Sequence, residues 1–138
     1  MLLFWPNKEH EVQSFVLKLV NNHCPEMGSL REGPRAETRG NLTLVVLVVP
    51  MEKGRPQPDQ AFTAVTKEFG TSGVGLVLDS PRPLNDLVLG IRFQGEVKFV
   101  RAEAKHLTPM GAGFYQLGLK LKEMLHVGDY PELKKVIF

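Results

Sequence analysis

The sequence predicts an all-β core: a small six-stranded antiparallel barrel with an added N-terminal helix and a short C-terminal helix. Three observations predict it. Short apolar runs follow one another closely from residue 42 onward, brief glycine- or proline-bearing connections join them, and strong helical spacing is confined to one early segment. Closely spaced strands pair antiparallel, because parallel pairs need long crossovers. Six short strands with frequent glycine suit a small barrel or sandwich, and the barrel is the architecture expected here.

The helix is predicted over residues 9–23, EHEVQSFVLKLVNNH. Val12, Phe15, Val16, Leu19 and Val20 fall at i, i+3, i+4, i+7 and i+8 and form one apolar stripe. Such a stripe packs on the barrel or pairs with a second copy, so a dimer is one expected oligomer. A polar segment with Arg31, Arg35 and Arg39 leads to LTLVVLVVP, residues 42–50, a buried strand. Residues 51–60 read as a loop. Residues 61–69 alternate weakly, with Phe62, Ala64 and Thr66 on one face and Thr63, Val65 and Lys67 on the other; the pattern leaves the buried face open.

GVGLVLD, residues 73–79, is the next strand. Residues 87–94 and 96–107 are two strands meeting in a hairpin at Gly95. TPMGAG, residues 108–113, is a second turn, and residues 114–124 begin as the last strand. The tail DYPELKKVIF is expected to form a short helix packing Leu133, Val136 and Ile137. Two regions are expected: an N-terminal helical extension over 1–28 and a β-barrel domain over 29–138.

The chain has 138 residues, 43% of them apolar and 23% charged, which suits one packed core and excludes wholesale disorder. The net charge of +2 is too weak to argue for nucleic acid. Cys24 is the single cysteine, so no intrachain disulfide and no cysteine-rich zinc site can form. The opening MLLFW meets Pro6 and the charged pair Lys8-Glu9 too early for a signal peptide, and residues 42–50 are too few to span a bilayer as a helix. A cytoplasmic protein without a transmembrane segment is expected.

Enzyme chemistry is not expected. His10, His23, His106 and His126 are scattered and form no metal-ligand motif, and each reads as ordinary structure. Asp79 and Asp86 flank a proline turn, where aspartate is a common turn former. Gly70, Gly73 and Gly75 have the wrong spacing for a P-loop or a dinucleotide fingerprint, and no helical pattern follows them.

Two features remain. Arg35-Ala36-Glu37-Thr38-Arg39 places two arginines with three residues between them just ahead of the first strand, and Arg31 to Arg35 repeats that spacing. Glu68-Phe69-Gly70-Thr71-Ser72-Gly73 sets glycines before the strand at 73–79. Together with Gly90, Gly113-Phe114-Tyr115 and Gly118-Leu119, these make the chain from about residue 31 to 124 resemble a PilZ domain, a bacterial module that binds cyclic di-GMP. The family's second motif is Asp or Asn, any residue, Ser, any two residues, then Gly. Gly73 matches its glycine; Glu68 stands in place of Asp or Asn, and Gly70 in place of Ser.

The resemblance implies a non-catalytic signalling module without a cofactor, whose ligand is cyclic di-GMP and whose output is an altered contact with a protein partner. It implies ligand contact by Arg31, Arg35, Arg39, Glu68, Gly70 and Gly73. Arginine suits such a ligand because its fork bonds phosphate oxygens and its plane stacks on bases. Glu68 is acceptor-only when ionised, and Gly70 has no hydroxyl to give. Gly73 is expected to allow a tight turn. Two other readings stay open. One is a PilZ-like barrel that has lost the nucleotide and serves as a protein-interaction module. The other is a weak single-stranded nucleic-acid-binding barrel that offers Phe93, Phe99, Phe114 and Tyr115 to bases.

Overall fold

The computed structural model describes residues 8–23, 39–40, 43–70 and 73–136. Helix α1 spans Lys8–His23. The strands are β1 (Arg39–Gly40), β2 (Val45–Glu52), β3 (Arg55–Pro56), β4 (Phe62–Gly70), β5 (Gly73–Leu78), β6 (Asp86–Phe93), β7 (Glu96–Gly111) and β8 (Phe114–Leu125). Short 3-10 turns occupy Pro58–Gln60 and Pro131–Lys135.

All pairings are antiparallel, as the short connections require. The expected six-stranded barrel is corrected. One eight-stranded sheet runs β1-β4-β5-β8-β7-β6-β2-β3. It ends on the two-residue strands β1 and β3, which do not pair with each other, so the sheet has eight strands and not the expected six. An additional pairing of Val45–Val48 with Phe62–Val65 curls β2 against β4. The extra strands come from segments read as linker and loop. Lys53 and Gly54, both at positive φ, turn the chain so that Arg55-Pro56 folds back on Met51-Glu52.

The curl creates two cores. Inside it, Val46 and Val48 of β2 meet Leu87, Leu89 and Ile91 of β6, Leu76 of β5 and Leu117, Leu119 and Leu121 of β8. Val12, Phe15, Val16 and Leu19 of α1 join the same cluster, and Phe15 meets Phe93 edge-on at 5.5 Å between ring centroids. The helical stripe is thus buried within its own chain, and each such side chain contributes about 1.5–3 kcal/mol. Glu123 on β8 ties the helix start to the sheet: it bonds Lys8 at 3.1 Å and Arg101 at 2.8 Å. Partial burial works to raise its carboxyl pKa, but those two cations outweigh burial and hold it below the usual carboxylate range.

On the outer face, Leu47, Val49, Val88 and Phe99 meet Leu125 and Leu133. Strand β2 is therefore buried on both sides over Val46–Val49, which is why that run is unbroken by polar residues. The expected C-terminal helix is corrected to a single 3-10 turn, five residues being too few for a stable α-helix. Leu133 is buried, Val136 packs beside it, and Ile137 lies outside the described residues. Arg55 clamps this turn, bonding both carboxylate oxygens of Glu132 at 2.8 and 2.7 Å while lying over the Tyr130 ring.

The remaining expectations resolve simply. The hairpin at Gly95 forms, with Gln94 and Gly95 both at positive φ. The second turn shrinks to Ala112-Gly113 because β7 continues to Gly111. In β4, Ala64 and Thr66 face inward while Val65 faces out, 38% exposed. Thr66 is the one buried polar side chain among the described core residues. Its hydroxyl accepts the Leu44 backbone N–H at 2.8 Å, and its own N–H donates to the Leu44 carbonyl at 2.9 Å. Thr66→Val keeps the shape and removes that acceptor. It is expected to cost about 1–3 kcal/mol, read as a lowered urea midpoint with an unchanged slope.

Candidate functional site

Gly70, Gly73, Gly75 and Gly118 come together across three strands. Glu68 pairs with Gly75, Gly75 with Gly118, and Gly118 with His106. These four residues lie in one row perpendicular to β4, β5, β8 and β7. At about 4.8 Å per strand, the row is about 14 Å long. Its two central members carry no side chain. Their neighbours along the strands, Val74, Leu76, Leu117 and Leu119, point into the inner core, so the row faces outward.

The result is a trough floored by backbone. A pocket of about 190 Å³ occupies it, lined by Glu68, Gly70, Gly73, Gly75, Lys105, His106, Gln116 and Gly118 among others. The register shift at Lys67 in β4 lets Glu68 share the outer face with Gly75 while Phe69 returns to the core. A second shift between Ala104 and His106 puts His106 opposite Gly118.

Two polar side chains lean over the floor. The imidazole of His106 lies over Gly118, where an added Cβ would overlap its Cε1 and Nε2. The amide of Gln116 lies over Gly75, its Nε2 3.0 Å from where a Cβ would stand, and its Oε1 accepts from Lys67 at 3.4 Å. Lys105 at the rim donates to Glu103 at 3.1 Å, and that bond holds the Glu103 carboxyl below its ordinary range. Exposed Lys120 stands opposite Gly73.

The structure treats the sequence candidates unevenly. Glu68, Gly70 and Gly73 all line the trough. Arg39 belongs to β1, and its backbone pairs with that of Gly70 at the trough's β4 side. Arg31 and Arg35 lie outside the described residues. The reason for Gly73 is corrected. Its backbone is not among those at positive φ; it is needed because a Cβ there would come within 2.8 Å of the Leu119 carbonyl oxygen.

Sequence reasoning passed over His106, Gln116 and the facing pair Gly75 and Gly118. The signal available was a glycine inside each of two apolar runs, GVGLVL and FYQLGLKL, which marks close approach within a strand.

Other features do not build a competing site. Phe93 and Phe99 are 8% and 6% exposed and serve the two cores, which removes them as surface rings for bases, while Phe114 is exposed. A larger cavity of about 1150 Å³ lies between α1 and the β6–β7 turn, lined by Phe15, Lys18, Phe93 and Val97 among others. It contains none of Arg39, Glu68, Gly70 and Gly73, and its wall is one helix face, a hairpin tip and the end of β8. Among the described residues, no three His, Cys, Asp or Glu side chains are placed to hold a metal ion, and no helix is long and apolar enough to cross a membrane.

No protein-family model matches the chain, and no curated protein matches it in sequence. Its fold is similar to a solved structure, that of the Bacillus subtilis inhibitor of motility, MotI/DgrA. The TM-score is 0.50 at 19% identity, over 74% of this chain and 48% of that one. The two share a fold. This chain spans about half the length of that protein.

The close contact at Gly73 gives a stability test with an internal control. Gly73→Ala drives a methyl into the backbone of β8 and is expected to cost about 1–3 kcal/mol in urea unfolding. Gly75→Ala meets only the movable Gln116 amide and is expected to cost clearly less. Equal losses would show that Gly73 is not held by that contact.

Proposed function

We propose that the chain is a PilZ-like regulatory module that binds cyclic di-GMP along the glycine-floored trough and relays binding to a protein partner. The observation that carries this reading is the pairing of Arg39 with Gly70. It brings the backbone of Arg39, from the first motif, beside Gly70, from the second, which supports the arrangement the PilZ resemblance calls for. The likeness of fold to a motility inhibitor, a regulatory protein by its name, agrees with a signalling role.

In this reading Arg39, with Arg35 and Arg31 ahead of it, supplies charge and forked donors to the phosphates. Lys105 and Lys120 at the rim add positive charge to the same region. Glu68 accepts from the N1 and N2 hydrogens of guanine, a task an acceptor-only carboxylate can perform. Gly70, in the place of a serine, leaves room and gives no hydroxyl. A ligand held by these arginines would bind the segment ahead of β1 to the sheet, and that contact is a means of reaching a partner.

A second reading is favoured by a separate observation. The β7–β8 hairpin projects past the end of β6, whose last pairing is Asp86 with Glu103, and it exposes Leu107, Met110 and Phe114 at 38%, 41% and 45%. A module that had lost the nucleotide would still keep this apolar tip for a protein contact.

Calorimetric titration with cyclic di-GMP separates the two. Binding is expected, weakened about 10- to 100-fold by Arg39→Ala, as a charge-assisted bond to phosphate predicts. Absence of heat from folded protein would sink nucleotide binding and leave the interaction module.

A further inference from the structure

The trough holds a feature that the family resemblance does not account for. His106 sits at the far end of the row from Glu68, and its imidazole leans inward over Gly118. The residue is exposed, so the ring is not held there by a core. Any residue larger than glycine at 118 would displace it, because a Cβ would overlap the ring. The second glycine, Gly75, lies between this ring and Glu68, under the movable amide of Gln116. The pocket of about 190 Å³ therefore has a carboxylate at one wall, an aromatic ring at the other and, once that amide swings aside, peptide backbone as its floor.

That combination suits one flat heteroaromatic ring. A backbone floor without Cβ atoms lets a planar group approach closely, and an exposed imidazole offers a face on which a base stacks. An acceptor-only wall favours a base whose edge carries N–H donors.

We propose that His106 is the base-stacking residue of this pocket, seated by Gly118, for a base that displaces the Gln116 amide from above Gly75. This rests on the nucleotide-binding reading above and adds to it a residue outside both sequence motifs. Stacking on an aromatic side chain is insensitive to which base is present, so His106 supplies affinity while Glu68 supplies choice.

The test uses the full chain with two probes, cyclic di-GMP and GMP, and two readouts, calorimetric affinity and the NMR resonance of the His106 Cε1 hydrogen. Both probes are expected to move that resonance. His106→Ala is expected to weaken cyclic di-GMP binding roughly tenfold, His106→Phe to restore most of it, and Gly118→Ala to weaken it comparably by lifting the ring while the protein stays folded by circular dichroism. If cyclic di-GMP binds and His106→Ala leaves its affinity unchanged, the stacking role falls while the nucleotide reading stands. If cyclic di-GMP does not bind but GMP shifts the His106 resonance, the slot stands and the cyclic dinucleotide assignment falls. If neither probe moves the resonance, both fall.

Discussion

The absence of side chains at Gly75 and Gly118, facing each other on adjacent strands, is the constraint on which the rest of the site depends. In an antiparallel pair, opposite residues carry Cβ atoms about 5 Å apart, and ordinary side chains there would fill the outer surface. With glycine at both places, the surface drops to the backbone. His106 and Gln116 then fold inward from the neighbouring positions, and Glu68 bounds the far wall. Glycine weakens a strand through backbone entropy and lost packing. The strands tolerate it because their inner faces, with Val74, Leu76, Leu117 and Leu119, are fully committed to the core.

The scaffold around the trough is rigid for a related reason. Strand β2 is buried on both faces and pairs with both β4 and β6, so it joins the inner and outer cores. Helix α1 fills the inner core, and the C-terminal turn covers the outer one through Leu133. Strands β4 and β5 are thereby held in register from behind, while their outer face stays low at the glycine row. The Arg39–Gly70 pairing adds β1 at the border of that row.

Much of this was legible in the sequence, for identifiable reasons. The stripe Val12, Phe15, Val16 and Leu19 marked both the helix and its buried face. The unbroken apolar run before Pro50 marked a strand covered on both sides. What failed to show were features set by register. Alternation in β4 shifts at Lys67, so no single pattern could assign Ala64, Thr66 and Phe69 to one side. Pro109 read as a break, yet β7 runs through it, because past the last β6 pairing its only strand neighbour is β8 and one edge is free. The arginine and glycine motifs were visible as strings, and their pairing through β1 was not. His106 read as an ordinary strand end because only the shift between Ala104 and His106 sets it against Gly118.

The central claim is that the ligand lies on the glycine row and not in the larger cavity beside α1. Amide chemical-shift mapping during titration with cyclic di-GMP tests it most directly. The account predicts that Gly70, Gly73, Gly75 and Gly118 shift together while Val49 and Leu133, on the outer core, stay still. Shifts clustered instead on Phe15, Lys18 and Val97, with the four glycines unmoved, would contradict it.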